Sequence, residues 1–352
     1  MVARAAGKRA RNRKEMIDLV TGATGFIGGH LAERLLRQGR EVRVLCRPGS
    51  EAKLPAAVAA HAQIARGDLR DEASLASAVV GVARVFHCAG HVSDWGAPDE
   101  FMAANVRGTE ALYRAARAAN VARAVHFSSI AVFGTPSPSS FDDTSPVAAA
   151  SRDEYSNTKA RGEAVAREAF AVGLPVTILR PAVVYGPRGT WLEEPLAMIR
   201  RGQMFLLGGG TGTCHPCYIE NLLDATLLAA EHPRAPGEAF IVGDGESISF
   251  RDYFDAVASI AGRDPIRRSI ALPVARTMAS TFEAMARLRR ATTRPLLTHT
   301  AIDMVTTRSE MSIQKIREEL GFQPRYSFAR AVEELGALYR EGAPLTQSRT
   351  PL

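Results

Sequence analysis

Three glycines, Gly22, Gly25 and Gly28, sit between an apolar run and an amphipathic stretch in "MIDLVTGATGFIGGHLAERLLRQG". No other feature constrains the fold as strongly. "MIDLVTG" reads as a strand and "GFIGGHLAERLLRQG" as a helix ending at Gly39. Glycines in such a turn let the backbone reverse tightly, approach a pyrophosphate, and pack helix on strand. Their place after a strand and before a helix separates a dinucleotide site from an ordinary glycine turn.

The segments that follow keep the same alternation. "EVRVLCR", "AQIARGDLRD", "ARVFHCAG", "RAVHFSSIAVFG" and "PVTILRP" read as strands. Between them lie "SLASAVVG", "EFMAANVRGTEALYRAARAAN" and a stretch from about Tyr155 to Ala171, which read as helices. The pattern predicts an α/β chain with a doubly wound parallel sheet of Rossmann type. After Gly186 the regularity weakens, and residues from about 248 onward are mostly helical, with breaks expected at Pro265, Pro273 and Pro295. A smaller, mostly helical C-terminal substrate domain follows from this. The dinucleotide-binding domain is expected over 15–187 with 218–247 returning to it, and the substrate domain over 188–217 and 248–340. The glycine-rich "LLGGGTGTCHP" reads as loop, and Gly134 to Pro146 as a mobile loop beside the site.

Charge is unevenly placed. The chain of 352 residues has a formal charge of +7, but residues 1–14 hold six Lys or Arg and no acid, leaving 38 basic against 37 acidic residues elsewhere. The excess is therefore a local tail, expected to be disordered, with 341–352 read as a second tail, and no nucleic-acid partner is expected. The tail lacks the apolar core of a secretory signal, and no apolar run approaches the roughly 20 residues that span a bilayer. Four cysteines are too few to staple so long a chain, so a cytoplasmic location is expected. "CHPC" at 214–217 has no second ligand pair, and no metal is expected.

Several residues are chemical candidates. The end of the second strand chooses between nicotinamide cofactors: a carboxylate accepts from a ribose 2′-hydroxyl, an arginine pairs with a 2′-phosphate. Arg47 stands there, with Lys53 further on and no acid before Glu51, so NADP(H) is favoured over NAD(H). Asp68 and Leu69 lie where an adenine edge could be read. In "YSNTK", Tyr155 and Lys159 share a helix face, so that the ammonium can stabilise a phenolate. Ser129 is placed to bond the same substrate oxygen, and Ser128 to point the other way.

Taken in order, "TGATGFIG", "GDLRD", "VFHCAG", "NVRGT", "SSIAVFG", "YSNTK" and "LRPAVVYGP" resemble the extended short-chain dehydrogenase/reductase superfamily, of the NAD-dependent epimerase/dehydratase type. The resemblance implies Tyr155 as general acid/base, Lys159 as the residue that lowers its pKa and holds the nicotinamide ribose, Ser129 as the group polarising the substrate oxygen, and Asn105 as a support. It also implies that Phe26, Ile27, Ala89, Gly90 and Pro181 join the glycines around the cofactor, and that the protein is a homodimer. "HCAGHVSDWGAPDEFMAANVRGT" is similar to the branch of 3β-hydroxysteroid dehydrogenases, sterol dehydrogenases and reductases of lipid-like β-keto acids. Arg47 departs from the acid of its NAD-linked members and resembles dihydroflavonol reductase-like enzymes. The expectation is an NADP(H)-linked reduction of a ketone on a small hydrophobic substrate. Sugar-nucleotide epimerases and dehydratases share the same Tyr and Lys; they would need Arg188, Arg200, Arg201 or Arg267 to hold a diphosphate. A non-catalytic NADP-binding protein is the third reading.

Two features stay open in the sequence. Val274, Met278, Phe282, Met285 and Leu288 form one apolar stripe, read first as core packing and second as a cover over a hydrophobic substrate or a peripheral membrane contact. Trp95 either packs structurally or lines the substrate pocket, as Arg188 does if it meets substrate.

Overall fold

The computed structural model describes residues 16–340, and the expected tails at 1–14 and 341–352 lie outside the described residues. Seven strands form the central sheet: β1 (Ile17–Thr21), β2 (Glu41–Cys46), β3 (Gln63–Arg66), β4 (Val82–His87), β5 (Arg123–Phe127), β6 (Val176–Pro181) and β7 (Ala239–Val242). All pairings are parallel, in the order β7-β6-β5-β4-β1-β2-β3. The order reverses between β1 and β4. At such a switch point the loops leave in opposite directions and open a crevice at the carboxyl ends of the strands.

Both faces of the sheet are buried except at the edge strand β3, which is why the other strands read as nearly continuous apolar runs. Leu19, Val85, Val176 and Leu112 pack on one face, and Val20, Phe86, Val125 and Leu179 on the other. The flanking helices that matter for the site are α1 (Phe26–Arg37), α2 (Gly108–Ala118) and α3 (Glu154–Ala171). Two further helices, α4 (Leu272–Leu288) and α5 (His299–Thr306), pack on each other around a small separate core of Leu207, Ala275, Ala279, Leu297 and Ile302. Among the described residues, no helix is long and apolar enough to cross a membrane.

The chain departs from the sequence expectation in four places. β5 stops at Phe127, because Ser129 caps a short 3-10 turn (Ile130–Phe133) through its hydroxyl, which accepts from the Ala131 amide at 3.1 Å. The segment expected as a free loop at 134–146 is pinned: Ser140–Phe141 pairs with Glu310–Met311, Phe141 is buried, and the Asp142 carboxylate accepts from the amides of Thr144 and Ser145. "CHPC" is not loop, since Thr213–Cys214 pairs with Ile248–Ser249 and Pro216–Tyr218 with Val183–Tyr185, and both thiols are buried. Pro273 occupies the first turn of α4, where its missing N–H costs nothing, and so starts a helix rather than breaking one.

The apolar stripe of α4 is core packing only in part: Met278 and Phe282 are half-buried against the small separate core. The buried face is Ala275, Ala279 and Ala286, turned about 100° from the stripe, and Val274, Met285 and Leu288 are exposed. Small side chains let α4 approach its neighbour closely, and that contact outcompetes burial of the larger residues.

The helix that leads into α2 contains one wide turn, a π-turn over Ala103–Arg107. Its Asn105 carbonyl bulges toward α3, where a Cβ on Gly162 would lie 2.6 Å from that oxygen. Gly162→Ala is therefore expected to destabilise the fold by about 1–3 kcal/mol, read as an earlier urea midpoint. An unchanged midpoint would show that the two backbones can separate freely.

Candidate active site

α3 starts under tight control. The Asp153 carboxylate accepts from the Ser156 amide (2.8 Å) and hydroxyl (2.8 Å) and from the Ser151 hydroxyl (3.1 Å). This cap fixes the first turn, which carries Tyr155. One turn later Lys159 places its ammonium 5.9 Å from the centroid of the Tyr155 ring. Ser129 beside the Tyr155 phenol favours its ionised form, but burial outweighs this and pushes the pKa up to about 12. Burial pushes Lys159 down to about 8. At neutral pH the pair is thus a phenol beside an ammonium.

The Lys159 ammonium donates to the Phe127 carbonyl at 2.7 Å, and no other acceptor is bonded to it among the described residues. An ammonium has three donors, so two remain for a ligand. Ser128 turns away from Ser129, its hydroxyl donating to Glu163 at 3.1 Å; Glu163 in turn holds Arg180 at the end of β6. Sequence reasoning missed Glu163, although it stands one turn beyond Lys159 on the same face, where the i, i+4 spacing could have found it.

Asn105 is buried and fully engaged. Its amide nitrogen donates to Thr158 (3.0 Å) and to the His91 carbonyl (3.0 Å), and its oxygen accepts from the His91 amide (2.7 Å). It thereby joins α3 to the loop after β4. A Cβ on Gly90 would come within 3.0 Å of the Asn105 oxygen and 3.6 Å of the Lys159 nitrogen, so this loop passes directly over the ammonium.

The glycine turn lies at the other side of the switch point. Gly22 has φ +74°, and a Cβ there would lie 2.7 Å from the Ala89 amide. A Cβ on Gly28 would lie 2.5 Å from the Gly22 carbonyl, so α1 can approach β1 only with glycine there. Gly25 caps α1 with no side-chain hydrogen bond, and the first turn holds no acid. The leading N–H groups are left for an anion, which fits a pyrophosphate. Phe26 packs edge-on against His30, Ile27 is half-buried against the core, and Pro181 is buried opposite Val242. Leu69 rests against Gly108, and Asp68 bonds Arg70 at 3.0 Å, which holds its carboxyl below the usual range.

Arg47 is exposed just beyond β2 with no ion-pair partner among the described residues, whereas Arg66 nearby is taken by Glu51 at 2.8 Å. Two other candidates go elsewhere. Arg188 pairs with Glu33 at 2.5 Å and lies beside His30 on α1, so the structure does not bring it to Ser129 and Tyr155. Trp95 donates from its indole nitrogen to the Ala291 carbonyl at 3.1 Å, tying the loop after β4 to the segment following α4. Among the described residues no cluster could hold a metal ion.

An uncapped helix start at the switch point, facing a buried lysine with spare donors, is how an α/β sheet takes up a dinucleotide, and the class is that of the Rossmann-type nicotinamide-dependent enzymes. Residues 19–243 match the NAD dependent epimerase/dehydratase family, and the chain belongs to it as an extended short-chain dehydrogenase/reductase, an NAD(P)-dependent oxidoreductase. It is 29% identical over 339 residues to a 4-hydroxy-2-methyl-3-oxo-4-farnesyl-3,4-dihydroquinoline-1-oxide ketoreductase of Stigmatella aurantiaca, covering 96% of this chain and 99% of that protein. A 3 beta-hydroxysteroid dehydrogenase/Delta 5→4-isomerase of Mycobacterium tuberculosis is 29% identical over 333 residues, covering 90% and 88%. The crystal structure of a dTDP-glucose 4,6-dehydratase from Streptomyces venezuelae with NAD bound superimposes with a TM-score of 0.75 at 26% identity, covering 93% of this chain and 98% of that one.

Proposed function

We propose that this protein reduces a ketone to a secondary alcohol on a hydrophobic substrate of steroid, β-keto lipid or flavonoid type, with NADPH as the preferred cofactor. The observation that carries the reading is the Tyr155 phenol beside Ser129, one helical turn from the buried Lys159 ammonium. The similarity to a ketoreductase and a hydroxysteroid dehydrogenase supports the substrate class. The unpaired Arg47 supports the phosphorylated cofactor.

The start of α1 and Lys159 would hold a dihydronicotinamide cofactor at the switch point, which would supply the hydride. Tyr155 then gives its proton to the substrate oxygen as charge develops there, and Ser129 donates a hydrogen bond to the same oxygen. Lys159 stabilises the phenolate left behind, and its two spare donors suit ribose hydroxyls. Asn105 acts through Thr158 and His91, as a positioning residue.

Three outcomes test this reading. Tyr155→Phe removes the proton donor alone, so NADPH binding is expected to survive while kcat for ketone reduction falls by about a hundredfold to ten-thousandfold. An undiminished rate, with chemistry shown to be limiting, would exclude the mechanism. Reduction needs both the protonated phenol and the charged ammonium. Lys159 is charged below about pH 8 and neutral above it, and Tyr155 keeps its proton up to about pH 12, so kcat/KM is expected to decline as pH rises through about 8. A profile flat across that range counts against Lys159. Finally, a charge-assisted contact from Arg47 to a 2′-phosphate is worth about 1.5–3 kcal/mol, or roughly tenfold to a hundredfold in affinity. NADPH is expected to bind more tightly than NADH by that factor, and Arg47→Asp to erase the difference; equal affinities in the unaltered protein would remove the cofactor assignment.

A further inference from the structure

The outer face of α4 and the chain just after it combine two properties. The first is exposed apolar surface: Leu288 is 86% exposed, Leu296 78% and Val274 54%, with Met285 and Met304 beside them. Val274, Thr277, Met278, Thr281 and Phe282 line a shallow groove of about 320 Å³ on the same helix. The second is charge. Residues 272–296 hold five arginines and one acid, Glu283, in a chain that beyond residue 14 carries 38 basic and 37 acidic residues. Arg276, Arg287 and Arg294 pair with Asp303, Glu283 and Asp94. Arg289 and Arg290, next to Leu288, are exposed and have no ion-pair partner among the described residues.

A second copy of the chain is a poor occupant for this surface, because a twofold contact would set each cluster of arginines against its own like. A nucleic acid would leave the leucines in water. An anionic lipid surface satisfies both properties, since apolar side chains enter the boundary between headgroups and acyl chains while arginines meet phosphate. We propose that α4 and residues 289–296 dock this protein on anionic membranes, with Leu288 and Leu296 inserted and Arg289 and Arg290 on lipid phosphates. The same segment holds the loop after β4 through Trp95 and Asp94, so docking sets that loop close to the bilayer.

The test needs no substrate. The full chain is sedimented with vesicles of phosphatidylcholine alone and of phosphatidylcholine with roughly a third phosphatidylglycerol, at low and high salt. Binding is expected to the anionic vesicles only, and to weaken with salt. Leu288→Asp with Leu296→Asp, and separately Arg289→Glu with Arg290→Glu, are expected to weaken it by at least about tenfold, at roughly fivefold for each surface charge, with the thermal unfolding midpoint unchanged. Three results would overturn the proposal. The chain may stay in the supernatant with anionic vesicles. It may sediment equally when the leucines are replaced, which would put the contact in the basic segment 1–14. Or sedimentation velocity may reveal a dimer that Leu288→Asp abolishes, which would make a second copy the occupant.

Discussion

The carboxyl edge of the sheet is arranged around one buried ammonium. Lys159 meets a single carbonyl, that of Phe127, and this requires β5 to end there so that the oxygen faces α3 rather than a neighbouring strand. Once the strand stops, the two serines diverge, Ser129 toward Tyr155 and Ser128 toward Glu163. The helix must also lie close, which Gly162 permits against the Asn105 carbonyl. One carbonyl does not replace the water lost by an ammonium, and the downward shift to about 8 records the deficit. A ligand that offers further acceptors to Lys159 repairs it, so binding and folding draw on the same group.

The glycine turn and the lysine are joined beneath the crevice by buried hydrogen bonds. The Thr21 hydroxyl meets His87 at 2.9 Å, His87 meets Thr109 at 2.9 Å, and Thr109 donates to the Asn105 carbonyl at 2.9 Å. Burial pushes His87 down to about 3, with the nearby Lys159 charge adding to the shift, so the imidazole stays neutral and can donate on one side and accept on the other. Thr21 also accepts from the Ala89 amide at 3.2 Å, which holds the two loops of the switch point together. A neutral chain suits this position: a second charge behind Lys159 would compete with the one that the site uses.

What could be read in the sequence follows from distance along the chain. β1, β2, β4, β5 and β6 were legible because strands buried on both faces are runs of apolar residues, and Tyr155 with Lys159 because four residues on a helix fix a shared face. Ser129 was placed within a strand read from Arg123 to Gly134, but that strand ends at Phe127, seven residues earlier, at the point where a hydroxyl offers the backbone another partner. The fate of Trp95 and Arg188 was not legible, since their partners lie 196 and 155 positions away. α4 shows a different limit. Periodicity established which residues share a face, but three alanines on another face decided which side turns inward.

This division has a consequence for how the fold can vary. The groups placed for proton transfer stand on β5 and α3 and on the loops at the switch point, held by short-range geometry. The segments beside them are held from the far end of the chain: Asp94 by Arg294 and Thr298, Trp95 by Ala291, and Arg152, three residues before Tyr155, by Asp303, which Arg276 also holds. These latches are partly exposed ion pairs and single hydrogen bonds, each contributing at most about 1 kcal/mol. Residues 272–306 can therefore change sequence and shape at small cost to the sheet, while α3 cannot move without exposing or stranding the Lys159 ammonium. The exposed leucines and arginines thus stand on a segment weakly tied to the sheet, and Tyr155 and Lys159 on a helix that cannot move.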